Sequence, residues 1–197
     1  MIKAILFDFG GVISVYGRFR PFSEYFAKKH NLNAEQVHDI IHASWEPARL
    51  GKTKPEEFWE SIAKLSGQDW KEIRQEYIDF HGFRPEMLEL IKKLHKHYKI
   101  GLLSNQIKDW MCQVIEKYDL APHFDAFIIS YNEGKAKPDP AIYITAAERL
   151  GVKPEECLFI DDLEKNIPSA IEIGMKAILF IGCEELIAEL KAQKMVF

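Results

Sequence analysis

Four short segments place acidic, hydroxyl and ammonium side chains just after, or between, runs of aliphatic residues. Asp8 follows the run that ends at Phe7 and precedes Phe9-Gly10-Gly11-Val12, and Ser104-Asn105 closes Ile100-Gly101-Leu102-Leu103. Lys137 lies in Gly134-Lys135-Ala136-Lys137-Pro138-Asp139-Pro140, and Asp161-Asp162 closes Leu158-Phe159-Ile160. Taken singly, an aspartate beside two glycines is most often a turn residue. The whole set outlines a phosphate and metal site. A phosphoryl group brings roughly two negative charges, so a carboxylate attacks it only when a cation neutralises the developing charge. Mg²⁺ takes oxygen ligands, commonly one or two carboxylates plus water and substrate, which Asp8 with Asp161 or Asp162 supplies. Lys137 would hold further charge, and Ser104, with Asn105 and nearby backbone N–H groups, would donate to phosphoryl oxygens. Attack by Asp8 would give an aspartyl-phosphate that water then hydrolyses.

For these residues to meet, their elements must end at one edge. Five short aliphatic runs, at residues 3–7, 99–103, 126–130, 156–160 and 176–181, read as buried strands. Helical spacing marks 85–98, 108–118, 140–150 and 163–173 between the later ones. This alternation predicts a doubly wound, Rossmann-like α/β core with a five-stranded parallel sheet covered on both faces. Residues 14–84 hold no convincing strand; helices are expected at 21–30, 34–50, 55–66 and 70–80. The domain organisation expected is therefore a catalytic core of 1–14 and 85–197 carrying an all-helical cap at 15–84. An insertion after the first strand would sit over the carboxyl edge of the sheet, where open parallel sheets bind ligands.

The segments ILFDFGGVI, GLLSNQ, GKAKPDPAIY and LFIDDLEKN resemble, in order, the four motifs of the haloacid dehalogenase superfamily, in particular its phosphatase-like members with a helical cap. The resemblance spans almost the whole chain. It implies Asp8 as nucleophile, Ser104 as phosphoryl binder, Lys137 as charge clamp, Asp161 and Asp162 as carboxylates on the metal side, and magnesium as the metal. One departure stands out. Most phosphatases of the superfamily carry a second aspartate two residues after the nucleophile, an acid for the leaving group and a base for water; here that position is Gly10. Its backbone carbonyl still reaches a metal, but its proton transfer, typically a factor of about 10² to 10⁴, is missing. The expectation is activated leaving groups, an acid from the cap, or weak turnover.

On the cap, His42, Trp45 and Arg49 recur at helical spacing and so share a face that fits a substrate lid or a packing surface equally well. Arg18 and Arg20 follow the nucleophile loop, where they would meet an anionic substrate or remain solvated. Phe22, Tyr25, Phe26, Phe58, Trp59, Tyr77 and Phe80 read as cap packing. Asn166 reads most simply as a first-turn cap, with orientation of Asp161 or Asp162 as the alternative.

Composition narrows the partners. Lys plus Arg at 26 against Asp plus Glu at 30 gives a net charge of -4, so nucleic acid is not an expected partner. Cys112, Cys157 and Cys183 lack any paired spacing and read as reduced core residues. The first apolar run is interrupted by Asp8 and has no small-residue cleavage site, and nothing approaches a membrane span; a cytoplasmic enzyme acting on a small phosphorylated metabolite, such as a sugar phosphate, is expected. Three rivals remain. A metal-independent 2-haloacid dehalogenase would keep Asp8 but attack carbon, against which the adjacent Asp161-Asp162 pair argues because three carboxylates repel without a cation. Phosphonate cleavage would need a cap lysine such as Lys52 or Lys54. A decayed enzyme would bind phosphorylated ligands or protein partners without turning them over.

Overall fold

The computed structural model describes residues 1–197. Strands β1 (Ala4–Phe7), β2 (Lys99–Ser104), β3 (Ala126–Ile129), β4 (Cys157–Asp161) and β5 (Lys176–Leu179) form one parallel sheet in the order β3-β2-β1-β4-β5. The helices are α1 (Phe19–His30), α2 (Ala34–Ala48), α3 (Pro55–Ser66), α4 (Trp70–Phe80), α5 (Pro85–Leu94), α6 (Lys108–Lys117), α7 (Ser130–Glu133), α8 (Pro140–Arg149), α9 (Ile167–Glu172) and α10 (Cys183–Ala192). None is long and apolar enough to cross a membrane.

Strand β1 is apolar throughout because both of its faces are covered. Ile5 and Phe7 face Met87, Ile91, Trp110, Val114, Leu186 and Leu190 of α5, α6 and α10. Ala4 and Leu6 face Ile142, Tyr143, Ala146 and Leu150 on and just after α8, with Ala170 of α9. At roughly 1.5–3 kcal/mol for each large side chain removed from water, this alternation fixes which way β1 faces. Phe7 lies level with Leu102 of β2 on one side and Ile160 of β4 on the other, so the carboxyl ends of the three central strands finish together. Chain order runs outward in both directions from β1, which opens a crevice at that edge.

Helices α1–α4 occupy the interval between β1 and β2. Their starts are coded locally: Asn33 caps α2 by accepting from Gln36 N–H at 3.0 Å, Asp69 caps α4 from Lys71 N–H at 2.8 Å, and Pro55 opens α3. Aromatic rings fill the space between them, Phe22 meeting Tyr77 at 4.8 Å and Phe80 at 5.5 Å, and Phe19 meeting Trp45 at 4.7 Å. The way in and the way out of this layer are joined. Val15 and Tyr16 N–H donate to the His81 carbonyl at 3.1 and 3.2 Å, and Arg84 N–H donates to the Ile13 carbonyl at 2.9 Å. Gly17 abuts the nucleophile loop so closely that a Cβ on it would lie 2.8 Å from the carbonyl carbon of Gly10. On the opposite side, Asp109 of α6 accepts from Trp59 Nε1 at 3.2 Å and Arg74 Nη1 at 3.1 Å, tying α3 and α4 to the core.

Several boundaries differ from those expected. Helix α1 begins two residues earlier, and α2 stops at Ala48, with Pro47 in its last turn. Helix α5 ends at Leu94 because 95–98 tighten into a turn that feeds β2, Tyr98 N–H donating to the Leu94 carbonyl at 2.9 Å. The segment expected as one helix at 163–173 is a 3₁₀ turn, Glu164–Asn166, followed by α9; the Leu163 N–H and the Asn166 side chain are both spent on Asp161. Helices α7 and α10 lie outside the expected set, and Cys112 is exposed rather than core.

Candidate active site

Asp8 extends the ladder of β1 by one residue, its N–H donating to the Ile160 carbonyl at 2.9 Å. The chain then turns sharply, the Phe9 carbonyl accepting from Ile13 and Ser14 N–H, both at 2.9 Å. Gly11 is required in this turn on two counts: its φ is +72°, and a Cβ there would collide with the Asp162 carboxylate.

The turn leaves Asp8 6% exposed, among donors from its own loop and from two other segments. Its Oδ1 accepts from Phe9 N–H at 2.7 Å and Ser104 Oγ at 2.8 Å, and lies 2.9 Å from Lys137 Nζ. All three reach Oδ1, so Oδ2 is the oxygen left outside this set. Lys137, almost wholly buried, also donates to Asp161 Oδ2 at 2.6 Å. Asp161 is saturated: Leu163 N–H reaches Oδ1 at 2.8 Å, and Asn166 Nδ2 reaches Oδ1 at 2.9 Å and Oδ2 at 3.0 Å. Asn166 makes no capping bond, so its role is the orientation of Asp161 and not the helix cap that its position alone favours. The Asp162 Oδ1 atom, by contrast, is buried without any partner.

Oxygens of Asp8, Asp161 and Asp162 lie within 4.8 Å of one another. Crowding of this kind shows in their protonation. Burial first, and the negative Asp161 and Asp162 beyond it, push the Asp8 carboxyl up to about 7 against the pull of Lys137. Burial and Asp161 push Asp162 up to about 6. Burial works against the Lys137 ammonium, but the Asp8 and Asp161 carboxylates overcome it and raise its pKa above the usual lysine range. One ammonium among three carboxylates leaves the cluster short of positive charge, and the orphaned Asp162 oxygen gives a hard, oxygen-seeking cation a place to bind.

A cavity of about 590 Å³ opens outward from Asp8, Gly10, Ser104 and Lys137 to the helical layer. His42, Trp45 and Arg49 line it, and so do Arg18 and Arg20. Trp45 serves packing as well, through its contact with Phe19, and Arg49 pairs with Glu46 at 2.7 Å while reaching the Lys137 carbonyl at 3.4 Å. The sequence reading puts Asn105 among the phosphate ligands. In the structure its amide is committed elsewhere, Oδ1 accepting from Lys137 N–H and Nδ2 donating to the Lys137 carbonyl, both at 2.9 Å. Asn105 therefore braces the backbone that carries the buried ammonium.

Other wall residues escaped the sequence reading. His38 lies one turn before His42 on α2, a spacing that carried the signal. Gln106 follows Ser104-Asn105 directly, and its Oε1 is buried without a partner. His81, 4% exposed at the exit of the helical layer, packs on Tyr77 and Trp110; burial pushes its pKa down to about 3, so it is neutral. Nothing in its local sequence marks it.

Comparison with known proteins places these features in context. Residues 2–174 match the family model described as haloacid dehalogenase-like hydrolase. A D-ribitol-5-phosphate phosphatase of Bacteroides thetaiotaomicron is 31% identical over 187 residues, covering 89% of this chain and 90% of that protein. A haloacid dehalogenase family enzyme from the same organism, solved in complex with magnesium and inorganic phosphate, superposes with a TM-score of 0.80 at 28% identity, over 94% of this chain and 99% of the other. The L-2-haloacid dehalogenase of Xanthobacter autotrophicus shares the fold, with a TM-score of 0.68 at 22% identity, over all of this chain and 85% of the other.

Proposed function

This chain belongs to the haloacid dehalogenase-like hydrolases, and from that membership we propose that it hydrolyses a small phosphomonoester, of the sugar-phosphate kind, in a magnesium-dependent reaction through an aspartyl-phosphate on Asp8. The observation that carries the reading is the Asp8 carboxylate held through one oxygen by Ser104 and Lys137 within 4.8 Å of two further carboxylates.

Mg²⁺ fits this donor set, with Asp8, Asp162 and the Gly10 carbonyl as its holders; when bound it supplies the positive charge that lets an anionic carboxylate approach an anionic phosphoryl group. Asp161, whose oxygens are already filled by donors, serves the cation indirectly by fixing Lys137. Asp8 Oδ2 forms the new O–P bond as the ester P–O bond breaks and the alcohol leaves with its electron pair, taking a proton from solvent or the cavity wall. Water then attacks phosphorus, the Asp8–phosphate bond breaks, and inorganic phosphate and a proton are released. Ser104 Oγ and Lys137 Nζ stabilise charge on the phosphoryl oxygens in both steps. Gly10 offers no acid, so leaving groups that are stable as anions react fastest.

The similarity to the D-ribitol-5-phosphate phosphatase and to the magnesium and phosphate complex supports this reading over carbon attack by a dehalogenase, which has no use for the unpartnered Asp162 oxygen. Hydrolysis of an aryl phosphate with and without Mg²⁺, by wild type and Asp8→Asn, tests it. Metal-dependent turnover lost in Asp8→Asn is expected; halide release from a 2-haloacid without metal would overturn it.

A further inference from the structure

Beyond Asp8, cationic and imidazole side chains outnumber the carboxylates Glu46 and Glu164 in the cavity wall. Arg18, Arg20, His38, His42 and Arg49 contribute from the helical layer, and Lys165 from the 3₁₀ turn after β4. Arginine and lysine have no acceptor atoms, and an imidazole offers at most one, so the part of the wall that these six residues form is weighted toward donors. It suits a group that only accepts. Arg20 and Arg49 are already paired, with Glu35 and Glu46, each at 2.7 Å. Arg18 and Lys165 form no ion pair, although Arg18 lies within electrostatic reach of Asp162. Facing the cavity beside Lys165 is one carboxylate that is likewise unpaired, Glu164.

The placement of the arginines runs against local preference. Arg18 is the N-cap of α1 and Arg20 lies in its first turn, which holds no acidic residue, so two cations sit at the positive end of a helix dipole without a capping side chain. Glu35 answers Arg20, so the counter-charge is missing only at Arg18, and natural sequences tolerate such a conflict where function supplies it.

We propose that Arg18 and Lys165 bind a second oxyanion on the substrate, so that the compound hydrolysed is a phosphomonoester carrying a carboxylate or a second phosphate at the end remote from the scissile group. This rests on the phosphomonoesterase reading and narrows its substrate class from sugar phosphates at large to phosphorylated sugar acids or bisphosphates.

The test uses Asp8→Asn protein with Mg²⁺, which leaves ligands intact, and calorimetric Kd values for glycerol 3-phosphate, 3-phosphoglycerate and glycerol 1,3-bisphosphate. These share a three-carbon chain and end in hydroxymethyl, carboxylate and phosphate. At least one anionic-ended compound is expected to bind about tenfold or more tightly than glycerol 3-phosphate, the size of one good charge-assisted contact, and its identity distinguishes carboxylate from phosphate. Adding Arg18→Ala and Lys165→Ala should bring that ratio to within about threefold. Equal affinities for the three, no measurable binding of either anionic-ended compound, or a preference that survives the double substitution would each overturn the proposal. Loss of the phosphomonoesterase reading shows separately, as wild-type protein without Asp8-dependent hydrolysis of an aryl phosphate.

Discussion

Replacing Asp162 with asparagine should make the metal-free protein more stable while removing its response to magnesium. The carboxyl of Asp162 is raised from 3.8 to about 6, by burial first and by Asp161 second. Two pH units correspond to roughly 3 kcal/mol at about 1.4 kcal/mol per unit, and the side chain's partial exposure reduces this to about 1–2 kcal/mol. Because the folded pKa lies above the unfolded one, the native state binds the extra proton between about pH 4 and 6, and the penalty on folding is complete only above that window. Asp162→Asn should therefore raise the urea midpoint of unfolding at pH 8 without metal and leave it nearly unchanged at pH 4. Wild type should gain stability from saturating MgCl₂ at pH 8 by mass action on the native state, and Asp162→Asn should gain far less. The reasoning fails if the variant is less stable than wild type at pH 8 without metal, or if magnesium stabilises the two proteins equally.

Three further outcomes are expected. Gly10→Asp should accelerate alkyl phosphate hydrolysis more than aryl, approaching the factor of about 10² typical of a restored acid, at a stability cost of about 1 kcal/mol because its Cβ would sit 3.2 Å from Gly17 Cα; equal acceleration of both substrate types in steady-state assays would count against the missing-acid account. Asn166→Ala should lower kcat by about 10- to 100-fold with little change in KM, since it frees the Asp161 carboxylate that fixes Lys137; a change confined to KM would place Asn166 in substrate binding instead. His81 is held neutral at about 3, below its ordinary 6.5, so the unfolded chain takes up a proton that the native state refuses and stability falls as pH drops from about 6.5 toward 3; His81→Gln should flatten that limb of the pH–stability curve by up to about 1.4 kcal/mol per pH unit, and unfolding midpoints between pH 7 and pH 4 that fall in parallel for both proteins would contradict it.

The sheet was legible because its central strands β1, β2 and β4 are buried on both faces and all five read as short apolar runs between turns, a signal that needs no partner to be recognised. Helix α10 left a fainter trace: Leu186 and Leu190 are one turn apart after Gly182, but Glu184, Glu185, Glu189 and Lys191 break up the segment and its buried stripe is narrow. The polar residues at strand ends could be gathered to one edge by topology alone, since a parallel sheet finishes all its strands on the same side. What topology does not give is the division of labour among them. Asp161 and Asp162 are adjacent and identical in type, and only the donors around each show that one is filled and the other open. The same holds for Asn105, whose amide spans to a backbone 32 residues away in sequence. His81 and Arg18 reach the cavity because two connecting segments lie side by side, an arrangement that no periodicity encodes.

That pairing of segments has a consequence for how the molecule can be altered. Because the His81 carbonyl receives two N–H groups from residues 15 and 16, and the Ile13 carbonyl receives Arg84 N–H, the 70 residues between enter and leave the sheet domain through adjacent points. Lengthening, shortening or exchanging that interval should leave the spacing of its two attachment points as it is, and with it the strand order beneath. The fold is built like a socket: in the proposed reaction the attacking carboxylate and its partners stand on the sheet, and a different piece plugged in above it would act on selectivity.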